Sequence, residues 1–273
     1  MPELPEVETI ARGLRSCVQG RCIDKVELLS LGCVQGDDRA FCAQLSGLII
    51  QDVRRRGKLL IFDLSNGLHL VSHLKMTGKF LCVHPQEIKI DPHSRCVFHL
   101  GPDVCLVFQD QRKFGYLRLM GPEEMSRWPF WACLGPEPLD MQAQDFVCRL
   151  QARRAAIKSL LLDQACIAGI GNIYADESLF LAGIHPQTRA QTLSSERLGT
   201  LFACLQRVLS RAVQAGGSSF RDYVDGLGRP GAYQDSFLVY GRGGKKCRQC
   251  GTELEKIKVS GRTSVFCPVC QKS

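Results

Sequence analysis

Four cysteines close to the carboxyl end have the spacing of a metal site: Cys247-x-x-Cys250, sixteen residues, then Cys267-x-x-Cys270. Two such pairs at that separation can fold as two knuckles joined by a β-hairpin, bringing four thiolates around one zinc ion, Zn2+. All four positions of a tetrahedral ion are then filled by protein, with none open for water. The zinc is therefore expected to build a binding element and to carry out no hydrolysis. Metal binding also supplies the stability that a short basic tail with little apolar content lacks. Taken more plainly as four unpaired thiols, the same residues leave that tail without a reason to fold. Ser260-Gly261-Arg262 lies between the pairs, where a hairpin turn would present Arg262 at its tip.

The amino terminus offers a second chemistry. Once Met1 is removed, Pro2 is a free secondary amine. An α-amino group with a pKa of about 8 is neutral in about a tenth of molecules at pH 7, against well under one in a thousand for an ordinary lysine. That makes it a usable nucleophile near neutrality. A secondary amine that adds to a sugar C1′ gives a positively charged iminium, an electron sink for β-elimination at the neighbouring phosphate. Glu3 and Glu6 would lie beside such a reaction. Taken more plainly, Pro2 and the glutamates only start a helix.

The elements that must position these groups follow from the pattern. PEVETIARGLRSCV reads as a helix: Pro5 suits its first turn, Glu6 and Glu8 its positive dipole end, and Val7, Ile10, Ala11 and Leu14 share one face. From about residue 23 to 119, short β-type runs broken by turns give the signature of an all-β sandwich or barrel. GPEEMSRWPFWACLGPEPLD is rich in Gly and Pro and reads as the passage between domains. AQDFVCRLQ, RRAAIKSLLLDQ, NIYADESLFLAG and SSERLGTLFACLQRVLSRAVQAG read as helices, the last ended by Gly216. Residues 217–242 are glycine-rich and weakly periodic, a length of loop that is usually functional or disordered.

A length of 273 residues suggests about two domains. With 45% hydrophobic and 23% charged residues the chain is an ordinary globular one and not a disordered one. No apolar run reaches membrane-spanning length, and the acidic opening lacks the basic and then apolar pattern of a secretion signal. Cytoplasmic residence without a membrane partner is expected. The net charge of +8 is concentrated in the tail, where Arg242, Lys245, Lys246, Arg248, Lys256, Lys258, Arg262 and Lys272 face only Glu253 and Glu255. That surplus permits a polyanionic partner. Fifteen cysteines, an odd number in a long chain, point to reduced thiols, and those outside the two pairs sit singly among apolar neighbours as packing residues.

PELPEVET (2–9) resembles the opening of bacterial formamidopyrimidine-DNA glycosylases. The likeness continues in family order through RRRGKLL (54–60), HLKMTGKF (73–80), DQRKFG (110–115), LGPEPL (134–139), AIKSLLLDQ (156–164), GIGNIYADESLFLAGIHP (169–186), VYGRGGKKC (239–247) and the zinc motif. The resemblance implies an α+β multidomain fold: an N-terminal helix plus a two-layer β-sandwich, then a C-terminal helical domain with a helix-two-turn-helix and a β-hairpin zinc finger. The implied boundaries are 1–132 for the catalytic β-sandwich domain, 133–150 for a linker, 151–240 for the helix-two-turn-helix domain with a lesion-capping loop, and 241–273 for the zinc finger. The implied activity is that of a bifunctional DNA glycosylase and abasic-site lyase of base excision repair. It would remove oxidised purines (8-oxoguanine, formamidopyrimidines) from damaged double-stranded DNA through a Pro2 iminium, followed by β,δ-elimination.

Carried onto this chain, the resemblance implies Pro2 as nucleophile, Glu3 as acid or base at the opening sugar, and Lys58 as a contact to the phosphate flanking the lesion. Arg262 would contact phosphate from the zinc hairpin. His73 and Met76 in HLKMTGKF, and Arg112, Lys113 and Phe114 in DQRKFG, belong to DNA-binding loops. Met76, Arg112 and Phe114 would enter the space left by a flipped nucleotide, replacing lost stacking, while Arg112 hydrogen-bonds the orphaned cytosine. Asn172, at a helix start, would hold a phosphate, and Lys158 would add another contact from the preceding helix.

The family commonly has Asp-Pro-Arg-Arg-Phe-Gly where this chain has Asp110-Gln111-Arg112-Lys113-Phe114-Gly115. The loop lacks a rigid proline and one guanidinium fork, which puts affinity and opposite-base preference in question. Residues 217–240 correspond to the loop that closes over the flipped base, and their spacing yields no base contacts. Two other readings compete: an endonuclease VIII-type enzyme for oxidised pyrimidines, against which PELPE and the Arg112/Phe114 pair lean, and a non-catalytic zinc-ribbon DNA-binding protein. A monomer is expected, acting in the bacterial cytoplasm on the nucleoid.

Overall fold

The computed structural model describes residues 1–219, 224–226 and 228–272. By contact the chain separates into two compact units, Met1–Ala132 with Ala215–Ala232, and Cys133–Gln214 with Tyr233–Ser273. The boundaries drawn along the sequence put 215–232 with the helical stretch; by contact it groups with the first unit, and residues 133–150 group with the second.

Unit 1 opens with α1 (Leu4–Val18), followed by β1 (Lys25–Leu28), α2 (Asp38–Leu45), β2 (Ile50–Arg56), β3 (Leu59–Leu64), β4 (His69–His73), β5 (Gly78–Val83), β6 (Ser94–His99), β7 (Cys105–Asp110) and β8 (Tyr116–Met120). The strands form two antiparallel four-stranded sheets, ordered β1-β6-β7-β5 and β2-β3-β4-β8. Their inner faces meet in one apolar cluster. Phe62 of β3 and Phe80 of β5 are both 0% exposed and stack edge to face at 5.5 Å, and Val7, Ile10, Leu14 and Val18 bring the apolar face of α1 into the same cluster. This is the two-layer sandwich with an N-terminal helix.

Two short helical stretches depart from the sequence pattern. The helix α2 lies within the run read as all β; it forms because Asp37 caps it, accepting the Ala40 N–H at 2.7 Å, and it buries only Phe41 and Leu45. The Gly- and Pro-rich passage after β8 is partly helical: α3 (Pro122–Arg127) and α4 (Pro129–Ala132) each begin at a proline, whose fixed φ and missing N–H suit a first helical position.

Unit 2 contains α5 (Ala143–Gln151), α6 (Ile157–Leu162), α7 (Asn172–Leu181), α8 (Ser195–Gln214) and the hairpin β9 (Glu255–Val259) and β10 (Arg262–Phe266). The helix α5 has the bounds its periodicity gave. Apolar residues on the inner stripe of α8, among them Leu198, Leu201, Leu205 and Leu209, are each 0% exposed, and its Phe202 ring packs on Phe146 of α5 at 4.9 Å. Among the described residues no helix is long and apolar enough to cross a membrane. The cysteines are all unbridged; Cys33, Cys96, Cys105, Cys166 and Cys204 pack in the interior as expected, but Cys133 and Cys148 are exposed and do not.

Candidate functional site

In unit 1 Pro2 is half-buried immediately before α1, and Glu3, 3% exposed, is the N-cap residue of that helix. Glu6, in the first turn, is 2% exposed. Its Oε2 accepts the Glu3 N–H at 2.9 Å, and its Oε1 accepts both the backbone N–H and the hydroxyl of Ser218 at 2.8 and 3.0 Å. A negative side chain here is also favoured by the positive dipole end of α1, where Glu3 and Glu6 form a reciprocal capping box. Gly217 lies so close that a Cβ on it would come within 3.1 Å of the Glu6 side chain, and its φ of 78° is itself one that favours glycine. The segment expected to close over a flipped base is thus anchored at 217–218; residues 220–223 and 227 of it lie outside the described residues.

Lys58 is 7% exposed and follows Gly57, whose φ of 58° makes the turn between β2 and β3. Arg55 steadies that turn, donating to Gly57 O at 3.1 Å while its Nε donates to Glu8 Oε2 at 2.9 Å. Across the sheet, His73 pairs in register with Leu59 and packs against the rings of Tyr116 and Phe130. Burial, and then the charges of Lys75 and Lys58, push its pKa down to about 3. Its Nδ1 accepts the Lys75 N–H at 3.0 Å, so the neutral ring carries its proton on Nε2.

Met76 is half-buried in the β4–β5 loop, and Arg112 and Lys113 are exposed in the β7–β8 loop. Phe114 is 56% exposed, large for an aromatic ring, and the Arg112 guanidinium sits 5.0 Å from its centroid. The two loops are brought together through Thr77, whose Oγ1 accepts the Arg112 N–H at 3.0 Å.

In unit 2 the strand that begins at the exposed Arg262 is held residue by residue. Asn172 Nδ2 donates to Thr263 O at 2.9 Å, Lys158 Nζ donates to Ser264 Oγ at 2.5 Å, and Asp176 Oδ2 accepts the Val265 N–H at 3.1 Å. The hairpin turn is the two-residue Ser260-Gly261, both with positive φ (48° and 72°), so those two residues form the tip, and Arg262, expected at the tip, is instead the first residue of β10, paired with Val259 beside the turn. Asn172 is the first residue of α7 after Gly171, and Gln164 fastens the preceding turn by accepting the Gly169 N–H and donating to Leu162 O and Ile170 O.

Lys158 corrects an expectation. Its side chain is 0% exposed, and Nζ lies 2.5 Å from Asp176 Oδ1 as well as from Ser264. An ammonium enclosed in this way presents nothing to a phosphate outside; it neutralises a buried carboxylate, which burial raises above the usual range against the opposing pull of Lys158. Glu177, beside it, accepts three backbone N–H groups from Leu238, Val239 and Tyr240 at 2.8–2.9 Å and fixes the approach to the cysteine tail.

The ligand atoms of Cys247, Cys250, Cys267 and Cys270 all lie within 4.8 Å of one another. Cys247 and Cys270 Sγ are 4.0 Å apart and Cys250 and Cys267 Sγ 3.4 Å, bracketing the edge of about 3.8 Å that a Zn–S distance of about 2.3 Å gives a tetrahedron. The Gln249 and Cys270 N–H groups point at Cys247 and Cys267 Sγ, each at 3.4 Å, as in a metal knuckle built to receive thiolates.

Residues 1–117 match the formamidopyrimidine-DNA glycosylase N-terminal domain, residues 134–224 the formamidopyrimidine-DNA glycosylase H2TH domain, and residues 244–272 the zinc finger found in FPG and IleRS. A formamidopyrimidine-DNA glycosylase of Heliobacterium modesticaldum is 45% identical over 278 residues, with 100% of each chain covered. A solved structure of a Lactococcus lactis FPG mutant in complex with Fapy-dG-containing DNA aligns with a TM-score of 0.93 and 37% identity, covering 100% of both chains. Lactococcus lactis Fpg with DNA containing an abasic site aligns at 0.92 and 36%, covering 99% of this chain and 100% of that one.

The chain belongs to the formamidopyrimidine-DNA glycosylase family.

Its four clustered cysteines are the zinc finger of this family, holding one structural ion with every ligand position filled by sulfur. Three side chains that organise this glycosylase-family fold escaped the sequence: Gln164 in the H2TH turn, Glu177 behind the zinc finger, and Asp110 beneath the Arg112 loop. Only Asp110 carried a signal there, as an aspartate opening a turn.

Proposed function

We propose that the chain is a bifunctional DNA glycosylase and abasic-site lyase that removes oxidised purines, 8-oxoguanine and formamidopyrimidines, in base excision repair. One observation carries it. Pro2 stands directly before a buried Glu3, in a helix start tied through Glu6 to Ser218, in a chain similar along its whole length to proteins crystallised with Fapy-dG and abasic-site DNA.

With Met1 removed, the Pro2 nitrogen attacks C1′ of the damaged nucleoside. The bond from C1′ to the base breaks, and the proton lost from the amine goes to the departing base. Glu3 then gives a proton to O4′ as the sugar ring opens, leaving an iminium between the Pro2 nitrogen and C1′. Loss of a proton from C2′ expels the 3′-phosphate, a second elimination expels the 5′-phosphate, and water frees Pro2. The fixed cation of Lys58 steadies the phosphate beside the lesion, and neutral His73 offers its Nε2–H as a donor.

Met76, Arg112 and Phe114 fill the gap left by the extruded nucleotide; the exposure of Phe114 and its stacking under Arg112 support that role. Lys113, Asn172 and Arg262 contact phosphates, Asn172 with the second N–H of its Nδ2. Lys158 contributes by holding the zinc hairpin on its helices. The working form is taken as a monomer in the bacterial cytoplasm, engaged with nucleoid DNA.

Borohydride reduction on a duplex with 8-oxoguanine opposite cytosine is the test. A covalent adduct is expected with the wild type and none with Pro2→Gly, while both bind the duplex. An adduct formed only with oxidised pyrimidines would replace the purine assignment by a pyrimidine one, and no adduct on any lesion would leave a DNA-binding protein without this chemistry.

A further inference from the structure

The two loops that carry Met76 on one side and Arg112 and Phe114 on the other converge on one carboxylate. Asp110, the last residue of β7, is 1% exposed. Its Oδ1 accepts the Thr77 hydroxyl at 2.5 Å and the Arg112 N–H at 3.2 Å, and its Oδ2 accepts the Gly115 N–H at 2.7 Å. Thr77 closes the triangle by accepting the Arg112 N–H at 3.0 Å. Since Gly78 of β5 is paired in register with Asp110, both loops leave the sandwich at the same point. There is no spare room: a Cβ on Gly78 would stand 2.5 Å from Leu74 O, and one on Gly115 3.0 Å from the Phe108 ring and 3.1 Å from Asp110 Oδ2.

Each loop also holds a lysine in the left-handed region directly before its tip residue, Lys75 (φ 51°) before Met76 and Lys113 (φ 60°) before Phe114. A residue with a side chain adopts that conformation only where its surroundings enforce it. The hydrogen bonds to Asp110 close the Arg112 loop around Lys113, and Thr77 joins that loop to the one containing Lys75.

We infer that Asp110 and Thr77 are positioning residues that lock the two loops into a single rigid wedge, so that recognition of the orphaned base by Arg112 depends on the Thr77 hydroxyl in the other loop. The inference rests on the function proposed above. Neither residue is placed against DNA. Their effect is to present the Arg112 backbone, and hence its guanidinium stacked on Phe114, in one orientation before the duplex arrives, so that the hydrogen bonds to a base edge need no reordering of the loop.

Thr77→Val keeps the shape and removes the hydroxyl, while Thr77→Ser keeps the hydroxyl. Two rates separate the outcomes: excision of 8-oxoguanine opposite cytosine relative to adenine, and borohydride trapping on a single-stranded abasic oligonucleotide, which has no orphaned base for the wedge to meet. Thr77→Val is expected to lower the cytosine-over-adenine preference about tenfold, the scale of one or two buried hydrogen bonds, and to change single-strand trapping by less than about twofold. Thr77→Ser should restore the preference. An unchanged preference in Thr77→Val, or an equal loss in the serine variant, overturns the locking role. So does a parallel fall in single-strand trapping, because that marks general damage to the fold. A wild type that forms no adduct on any abasic DNA defeats the proposed function itself, and this is read before any variant is made.

Discussion

Glu6 accepts two hydrogen bonds from Ser218, 2.8 Å from its backbone N–H and 3.0 Å from its hydroxyl, across 212 positions of chain. Its other oxygen accepts the Glu3 N–H at 2.9 Å. A carboxylate can receive all three, whereas the amide nitrogen of glutamine would face one of these donors with a donor of its own. Glu6→Gln is expected to cost about 1–3 kcal/mol of stability, and Ser218→Ala, which removes one donor and leaves no new conflict, about 1 kcal/mol. Thermal melting orders the two; a glutamine variant as stable as the wild type would contradict the carboxylate's role as the tie between α1 and this segment.

His73 gives a pH dependence whose sign is fixed. The folded ring stays neutral down to a pKa of about 3, lowered first by burial and then by Lys75 and Lys58, while in the unfolded chain it titrates near its ordinary 6.5. Between those values the unfolded state binds the extra proton, so stability falls as pH drops from 6.5 towards 3, by at most about 3 kcal/mol at pH 4. The amide of His73→Gln does not titrate in that window. Melting temperature plotted against pH should therefore fall less steeply for the variant between pH 6.5 and 4, and parallel curves would exclude His73 as a source of acid sensitivity.

The buried pair of Lys158 and Asp176 predicts strong coupling. Lys158→Met leaves the Asp176 carboxylate enclosed without its cation, an expected loss of about 3–5 kcal/mol. Asp176→Asn leaves the ammonium in the same position. Because the second substitution removes what the first one strands, the double variant should be more stable than the sum of the two losses by at least about 1 kcal/mol. Strict additivity in a denaturation cycle would mean that the two charges are not each other's main partner.

The features that were legible in the sequence are those whose causes are local. Pro5, Glu6 and the spacing of Val7, Ile10 and Leu14 write α1 into fifteen consecutive residues, and the zinc site is written in the two Cys-x-x-Cys pairs themselves. Lys158 was not legible, because its neighbours are 18 and 106 positions away and nothing near it in the chain says that its ammonium is enclosed. Family likeness marks such a residue as belonging to the pattern without telling a ligand contact from a buried support. The joint between the wedge loops was hidden for the same reason: Thr77 and Asp110 meet only through the β5–β7 register. The short helix α2 escaped because eight residues with two buried side chains leave almost no periodicity to detect.

The zinc finger separates two ways of losing a phosphate contact. Arg262 stands at the hairpin edge, while the fold of the hairpin depends on Cys247, Cys250, Cys267 and Cys270 below it and on Asn172, Lys158 and Asp176 beside it. Arg262→Ala should keep one zinc per chain, weaken binding to any duplex, and make the slope of log Kd against log salt shallower by about one. Cys250→Ala removes a ligand, and with it the metal-derived stability of the tail. It should lose the zinc, weaken binding at least as much as Arg262→Ala, and speed backbone hydrogen exchange in residues 255–266 while leaving α8 protected. Metal analysis, salt titration and exchange together decide the matter: a cysteine variant that loses zinc yet keeps both the slow exchange of β10 and the full salt slope would show that the hairpin stands without its ion.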